Sequence, residues 1–143
     1  LDARVMQRAE GYRRALQAAG CYDPALEFLR PEPSSFALGA QMFGRIVAEA
    51  KPDAIFFCND DLAQGALMAA PRLGISVPRD VAVAGFNDLP GSDQLLPSLT
   101  SVRTPRREIG QEAARMLLQL MRGEPVEHSC VELAWQVVAR ESA

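Results

Sequence analysis

An α/β fold built on parallel strands is what this sequence predicts, and three observations predict it. Helix-like and strand-like segments alternate along the chain, the pattern of a parallel sheet flanked by helices. Two continuous apolar runs, Ala54-Ile55-Phe56-Phe57-Cys58 and Val81-Ala82-Val83-Ala84-Gly85-Phe86, have the length and character of strands buried on both faces. No apolar run approaches the ~20 residues needed to span a bilayer.

The elements follow in order. Arg4 to Ala19 reads as an amphipathic helix, with Val5, Ala9, Tyr12 and Leu16 at helical spacing and Arg8, Glu10, Arg13 and Arg14 between them. Gly11 inside it costs about 1 kcal/mol relative to alanine, which implies close approach by another element. Gly20 stands at the stop position. Ala25 to Leu29 reads as a short strand, and Pro31, Pro33, Ser34 and Ser35 as a loop. A second helix from near Ala37 puts Leu38, Met42, Ile46 and Ala50 on one face. It ends at Lys51-Pro52, because a residue before proline is pushed out of helical geometry. After the first apolar strand, Asn59 or Asp60 can cap a third helix carrying Ala63, Leu67 and Ala70. Pro71 fits only a distorted last turn there, before Leu73-Gly74. The second apolar strand leads into a polar loop, Asn87 to Ser98, and then a short strand, Leu99 to Val102. Thr104-Pro105 reads as a cap with proline in the first turn. The helix that follows carries an Ile109, Ala113, Leu117, Leu120 stripe and stops at Gly123. Val131 to Leu133 and Gln136 to Ala139 close the chain as two β-type runs.

Composition narrows the function. Of 143 residues, 48% are hydrophobic and 23% charged, the profile of one globular domain rather than a disordered chain. With 15 basic and 18 acidic residues the net charge is −3, which excludes a phosphate-binding footprint for this stretch. Cys21, Cys58 and Cys130 match no zinc or redox spacing, and an odd count of thiols fits a reducing, cytoplasmic compartment. A start at Leu1 directly into helical sequence is the mark expected of a fragment.

In parallel sheets ligands collect beyond the carboxyl ends of strands. Two such ends finish in Asn-Asp: Asn59-Asp60-Asp61 and Asn87-Asp88. Asn59 offers a donor and an acceptor. The competing readings are a plain helix cap with first-turn acids, an Asx turn at Asn87, and a magnesium site on Asp60 and Asp61. Arg8 offers a fork of donors, or belongs to a solvated face. His128, the single histidine, follows a Gly-Glu-Pro turn and reads as a surface residue. Trp135 and Phe36 suit a core or a stacking role. No nucleophile elbow, dinucleotide loop or phosphate loop occurs, so catalysis has no support.

The order of motifs carries more than any one of them. Arg8-Ala-Glu-Gly11-Tyr12 is followed by Pro52-Asp53-Ala54-Ile55-Phe56, then Asn59-Asp60-Asp61-Leu62-Ala63-Gln64-Gly65-Ala66. Val77-Pro78-Arg79-Asp80-Val81 leads to Gly85-Phe86-Asn87-Asp88, then Pro97-Ser98-Leu99-Thr100-Ser101-Val102 and Val138-Ala139-Arg140-Glu141-Ser142. Over essentially its whole length the chain resembles the effector-binding region of a lactose-repressor-type (LacI/GalR) transcriptional regulator.

The resemblance implies a periplasmic-binding-protein-like, type I, two-lobe fold with parallel sheets and flanking helices, its first lobe mostly missing here. Residues 1–86 would form the second lobe and 87–98 a crossing. Residues 99–121 would be a strand and helix of the first lobe, 122–129 a second crossing, and 130–143 the return. The α-helix at 106–121 would then bury its stripe against a sheet absent from this chain. The resemblance also implies ligand contacts at Arg8, at Ser34 and Phe36, at Asn59 and at Asn87. Gly-Phe-Asn-Asp departs from the commoner Gly-Phe-Asp-Asp, and with Arg8 and the Ser-Ser-Phe run it resembles the gluconate-repressor branch. A sugar or sugar acid is the implied effector, with no metal, no cofactor and no enzymatic activity. Operator DNA would be bound by a domain outside this chain, as a cytoplasmic homodimer. The alternatives are a periplasmic sugar-binding protein of a transporter and a magnesium-dependent enzyme using Asp60 and Asp61.

Overall fold

The computed structural model describes residues 2–143; Leu1, where the fragment argument begins, lies outside them. Four helices, α1 (Ala3–Ala18), α2 (Phe36–Glu49), α3 (Asp60–Ala69) and α4 (Arg106–Met121), accompany four strands, β1 (Ala54–Phe56), β2 (Ala82–Asn87), β3 (Thr100–Arg103) and β4 (Gln136–Val138). The sheet order is β1-β2-β3-β4. The first three strands are parallel, with Ile55 beside Val83 and Gly85 beside Ser101; β4 runs antiparallel to β3. The sheet is therefore mixed rather than all parallel.

Alternation along the strands decides what covers each face. Ile55, Val83 and Gly85 point to the side of α2 and α3, where Phe43, Ala63 and Leu67 complete the buried core. Phe56 and Phe86 point to the other side. There the Tyr12 ring stacks on Phe56 at 6.2 Å, and the Arg8 guanidinium lies 4.1 Å from the centre of the Phe86 ring. Helices α2 and α3 touch backbone to backbone. A Cβ on Gly39 would fall 2.1 Å from the Leu62 carbonyl oxygen, and one on Gly65 would fall 2.1 Å from that of Phe36. Gly11 has no such role: a Cβ there would meet nothing within 4 Å, so no element approaches it.

Three local expectations change. Residues expected as a strand near Ala25 form a one-turn 3-10 helix, Pro24–Leu26, because Asp23 caps the Ala25 N–H and proline presets the turn. Val131 to Leu133 lies outside any strand. Pro105 occupies the cap position of α4, so Thr104 does not cap it. Pro71 stands as expected: α3 tightens into a 3-10 turn, Ala70–Leu73, with the proline in its first positions, and Gly74 closes it at φ +70°.

The larger correction concerns residues 99–121. The strand at their start was expected to leave with the helix for a first lobe. Instead β3 pairs in parallel with β2 from Thr100 to Arg103, in the same sheet as β1. Only α4 departs. It buries none of its residues, and Ile109, Leu117 and Leu120 are at least half exposed, so the expected stripe has no sheet beneath it.

The chain's last turn seals the gap where β2 and β3 begin. Ser142 is fully buried; its hydroxyl donates to the Val83 carbonyl at 2.6 Å and accepts from the Thr100 N–H at 2.8 Å. Ser142→Ala strips both groups of a partner and is expected to cost about 1–3 kcal/mol, read as a lower urea midpoint. An unchanged midpoint would mean that the tail does not lock the sheet.

Candidate functional site

At the carboxyl ends of β1 and β2 the chain forms a cleft of about 570 Å³, within the roughly 300–1,000 Å³ of small-molecule pockets. Its walls come from α1 (Arg4, Arg8), the loop before α2 (Arg30, Glu32, Ser34), the β1–α3 turn (Cys58, Asn59) and the end of β2 (Asn87). The amino ends of α2 and α3 border it, so two helix dipoles present their positive ends toward its contents.

Arg8 organises the floor. Its Nη1 donates to the Cys58 carbonyl at 2.7 Å and to Asn59 Oδ1 at 2.8 Å. Burial lowers the Arg8 pKa from its ordinary value; a guanidinium is the side-chain cation that proteins keep protonated. A guanidinium can only donate, so Asn59 must turn its oxygen toward Arg8. Asn87 must then turn its nitrogen toward the same oxygen, and Nδ2 lies 3.3 Å from it. The amide polarities are thereby set in sequence, which leaves Asn59 Nδ2 as a donor and Asn87 Oδ1 as an acceptor for a ligand. Asn59 holds the cap position of α3 but makes no side-chain cap bond. The helix-cap reading of Asn59 is thus overturned: its oxygen is spent on Arg8 and Asn87.

The charges around the rim pair off. Arg4 binds Asp2 at 2.9 Å, and Arg30 binds Glu32. Among the described residues Arg8 is the lining cation with no carboxylate partner. The neighbouring Cys58 thiol is pushed above its ordinary pKa, chiefly by burial.

Asp60 and Asp88 hold this arrangement from behind. Asp60 is fully buried; Oδ2 accepts from the Leu89 N–H at 2.6 Å and the Ser92 hydroxyl at 3.3 Å, and Oδ1 from the Ser101 hydroxyl at 2.7 Å. Gly85 makes room for it, since a Cβ there would lie 2.2 Å from Oδ1. Asp61 accepts from the Ser34 hydroxyl at 2.6 Å and the Leu62 N–H at 3.1 Å. The two carboxylates are committed to separate internal donors. No cluster of three or more acidic, histidine or cysteine ligands occurs among the described residues, and the magnesium reading loses its donor set. Asp88 carries ion pairs to Arg103 at 2.6 Å and Arg140 at 2.8 Å. Burial raises its pKa, but the hydrogen bonds from Arg140 and Arg103 outweigh that and hold it below the ordinary carboxylate value.

Of the five expected contacts, Arg8, Ser34, Asn59 and Asn87 line one cleft; Phe36 does not. Phe36 is the first residue of α2, half exposed, and its carbonyl is the group that packs on Gly65. Arg4 and Arg30 also line the cleft and were missed as site residues. Their signal was available: each is an arginine two residues from a carboxylate, at the start of a helix or beside prolines. His128 and Trp135 lie outside the lining, and Trp135 is largely exposed rather than core. The three cysteines are free, with Cys58 half-buried rather than fully so. No helix among the described residues is long and apolar enough to cross a membrane.

Comparison with known proteins gives a consistent result. The periplasmic binding protein-like domain matches residues 3–143. The HTH-type transcriptional regulator GntR of Pseudomonas aeruginosa is 55% identical over 99% of this chain, which spans 42% of that protein. The HTH-type transcriptional regulator IdnR of Escherichia coli is 38% identical over 95% of this chain and 41% of its own length. Among solved structures, the transcription regulator GntR from Chromobacterium violaceum superposes with a TM-score of 0.96 at 51% identity, covering 99% of this chain and 53% of that one. These relatives are transcriptional regulators, not enzymes by their names, and the chain spans less than half the length of the two curated ones.

Proposed function

The chain belongs to the periplasmic binding protein-like domain family, and from that premise we propose that it is the effector-sensing part of a LacI-type transcriptional regulator whose cleft takes a sugar acid such as gluconate. We read the cleft as a binding site rather than a catalytic one, in keeping with relatives that are transcriptional regulators by name. The intact protein works in the cytoplasm as a homodimer, and a separate helix-turn-helix reads the operator.

One observation carries the choice of ligand. Arg8 is the cation of the cleft left without a carboxylate, and the other side chain that donates to the shared Asn59 oxygen is the neutral Asn87. A ligand carboxylate can accept from Arg8 Nη2 and Nε, while its hydroxyls meet Asn59 Nδ2, Asn87 Oδ1 and Ser34. The two helix amino ends favour the same sign of charge. Phe36 drops from the contacts and Arg4 and Arg30 join them. A ligand that prefers closed lobes shifts their population, and coupling of about 1–3 kcal/mol is typical of such switches.

Titration of the intact protein with gluconate and glucose tests the reading. Gluconate should bind at least about tenfold more tightly. Asn87→Asp places a carboxylate against the Asn59 oxygen, removes the 3.3 Å donor and opposes the ligand's charge, so it should weaken gluconate by about tenfold and spare glucose. Tighter binding of glucose by the unaltered protein would sink the proposal.

A further inference from the structure

Asn87 and Asp88 are adjacent non-glycine residues with positive φ, +111° and +50°. Two such residues in succession persist only where the surroundings hold them there. Asn87 must do so to end β2 and still aim its amide at Asn59. What holds the pair is on the far side of the turn. The Asp88 side chain is 7% exposed and takes Arg103 at 2.6 Å and Arg140 at 2.8 Å, while its backbone carbonyl accepts from Arg106 Nη2 at 3.2 Å. Its N–H is taken by the Ser101 hydroxyl at 3.1 Å. These four partners, three donors and the accepting Ser101 hydroxyl, come from β3, the first residue of α4 and the tail after β4.

We infer that Asp88 is a positioning residue for ligand recognition: its clamp to Arg103 and Arg140 fixes the left-handed turn that points the Asn87 amide at Asn59. Asp88 itself is absent from the cleft lining and acts through its neighbour. The inference rests on the proposed cleft, but its first test needs no ligand.

Side-chain amide signals of isotope-labelled asparagine, recorded on the intact unliganded protein, report the Asn59–Asn87 bond directly. Asp88→Asn keeps the shape of the side chain and removes its charge, and it should shift the amide signals of both Asn59 and Asn87. Signals that stay in place while only stability falls would overturn the inference. With gluconate as probe, Asp88→Asn should weaken binding about tenfold. Adding it to Asn87→Ala should weaken binding no further, because one acts through the other; additive losses would overturn it as well. Should Asp88→Asn fail to fold, Arg103→Gln removes one arm at a half-exposed side chain. It should shift the same signals by less, with Arg103→Lys restoring them; unmoved signals reject the clamp. If the unaltered protein ignores gluconate, the sugar-acid reading falls, and the unliganded amide signals still decide the role of Asp88.

Discussion

Gly65→Ala is expected to destabilise the protein by about 3 kcal/mol or more, although it adds a single methyl group and improves helix propensity. The new carbon would lie 2.1 Å from the Phe36 carbonyl oxygen and 2.7 Å from its carbon, distances that no rotamer change can relieve because the obstacle is backbone. Helices α2 and α3 would have to part along their whole first turns, and Phe43 and Leu67 between them would lose contact. Ser34 and Asn59 lie immediately ahead of those first turns, so ligand affinity should fall with stability. Urea unfolding measures the loss. Gly11→Ala is the control: nothing lies within 4 Å, and alanine should stabilise α1 by about 0.5–1 kcal/mol. Equal midpoints for the two variants would refute the close approach of α2 to α3.

Asp60→Ala is expected to cost a further-reaching 3–5 kcal/mol, because several buried neutral donors lose their acceptor at about 1–3 kcal/mol each. It leaves the Leu89 N–H and the Ser101 hydroxyl buried without an acceptor, and the Ser92 hydroxyl with only Gln64 Nε2, 3.1 Å away. Loop 88–92 is tied to the sheet through that carboxylate, so gluconate binding should also decline. Asp60→Asn separates shape from charge. Its oxygen can serve Leu89 while its nitrogen donates to a turned Ser101 hydroxyl, and the loss should be less than half as large in the same urea assay. Equal losses for the two variants would mean that the negative charge, rather than the hydrogen-bond count, holds the loop.

Much of this was legible in the chain itself. The amphipathic stripe around Val5 and Tyr12, the continuous apolar runs at 54–58 and 81–86, and Gly20, Gly74 and Gly123 as stops all rest on neighbours within a turn or a strand, and the elements follow them closely. The Asn-Asp pairs announced the cleft because a polar residue after a buried strand has few other places to go. What escaped depends on partners far away in sequence. Nothing near Gln136 tells β4 to run antiparallel to β3. Nothing near Asp88 names Arg140, and Asp60 looked like a first-turn acid until Ser101, 41 residues on, closed over it. Phe36 was misplaced by local register: one residue past the Ser35 cap it belongs to the helix contact, not to the loop that lines the cleft. The close approaches of Gly39 to Leu62 and of Gly65 to Phe36 left no trace, since each glycine alone reads as a mild helix defect.

The pairing of Arg103 with Gln136 has a topological consequence. Strands β3 and β4 are adjacent and antiparallel, so the intervening residues 104–135 leave the sheet and re-enter it at the same point. In connectivity this is a β-hairpin whose turn has been expanded to hold a whole helix. Loop-closure entropy grows only slowly with length, so the sheet tolerates such an expansion at little cost. The helix can therefore be exchanged, lengthened or docked elsewhere without any strand changing its neighbour.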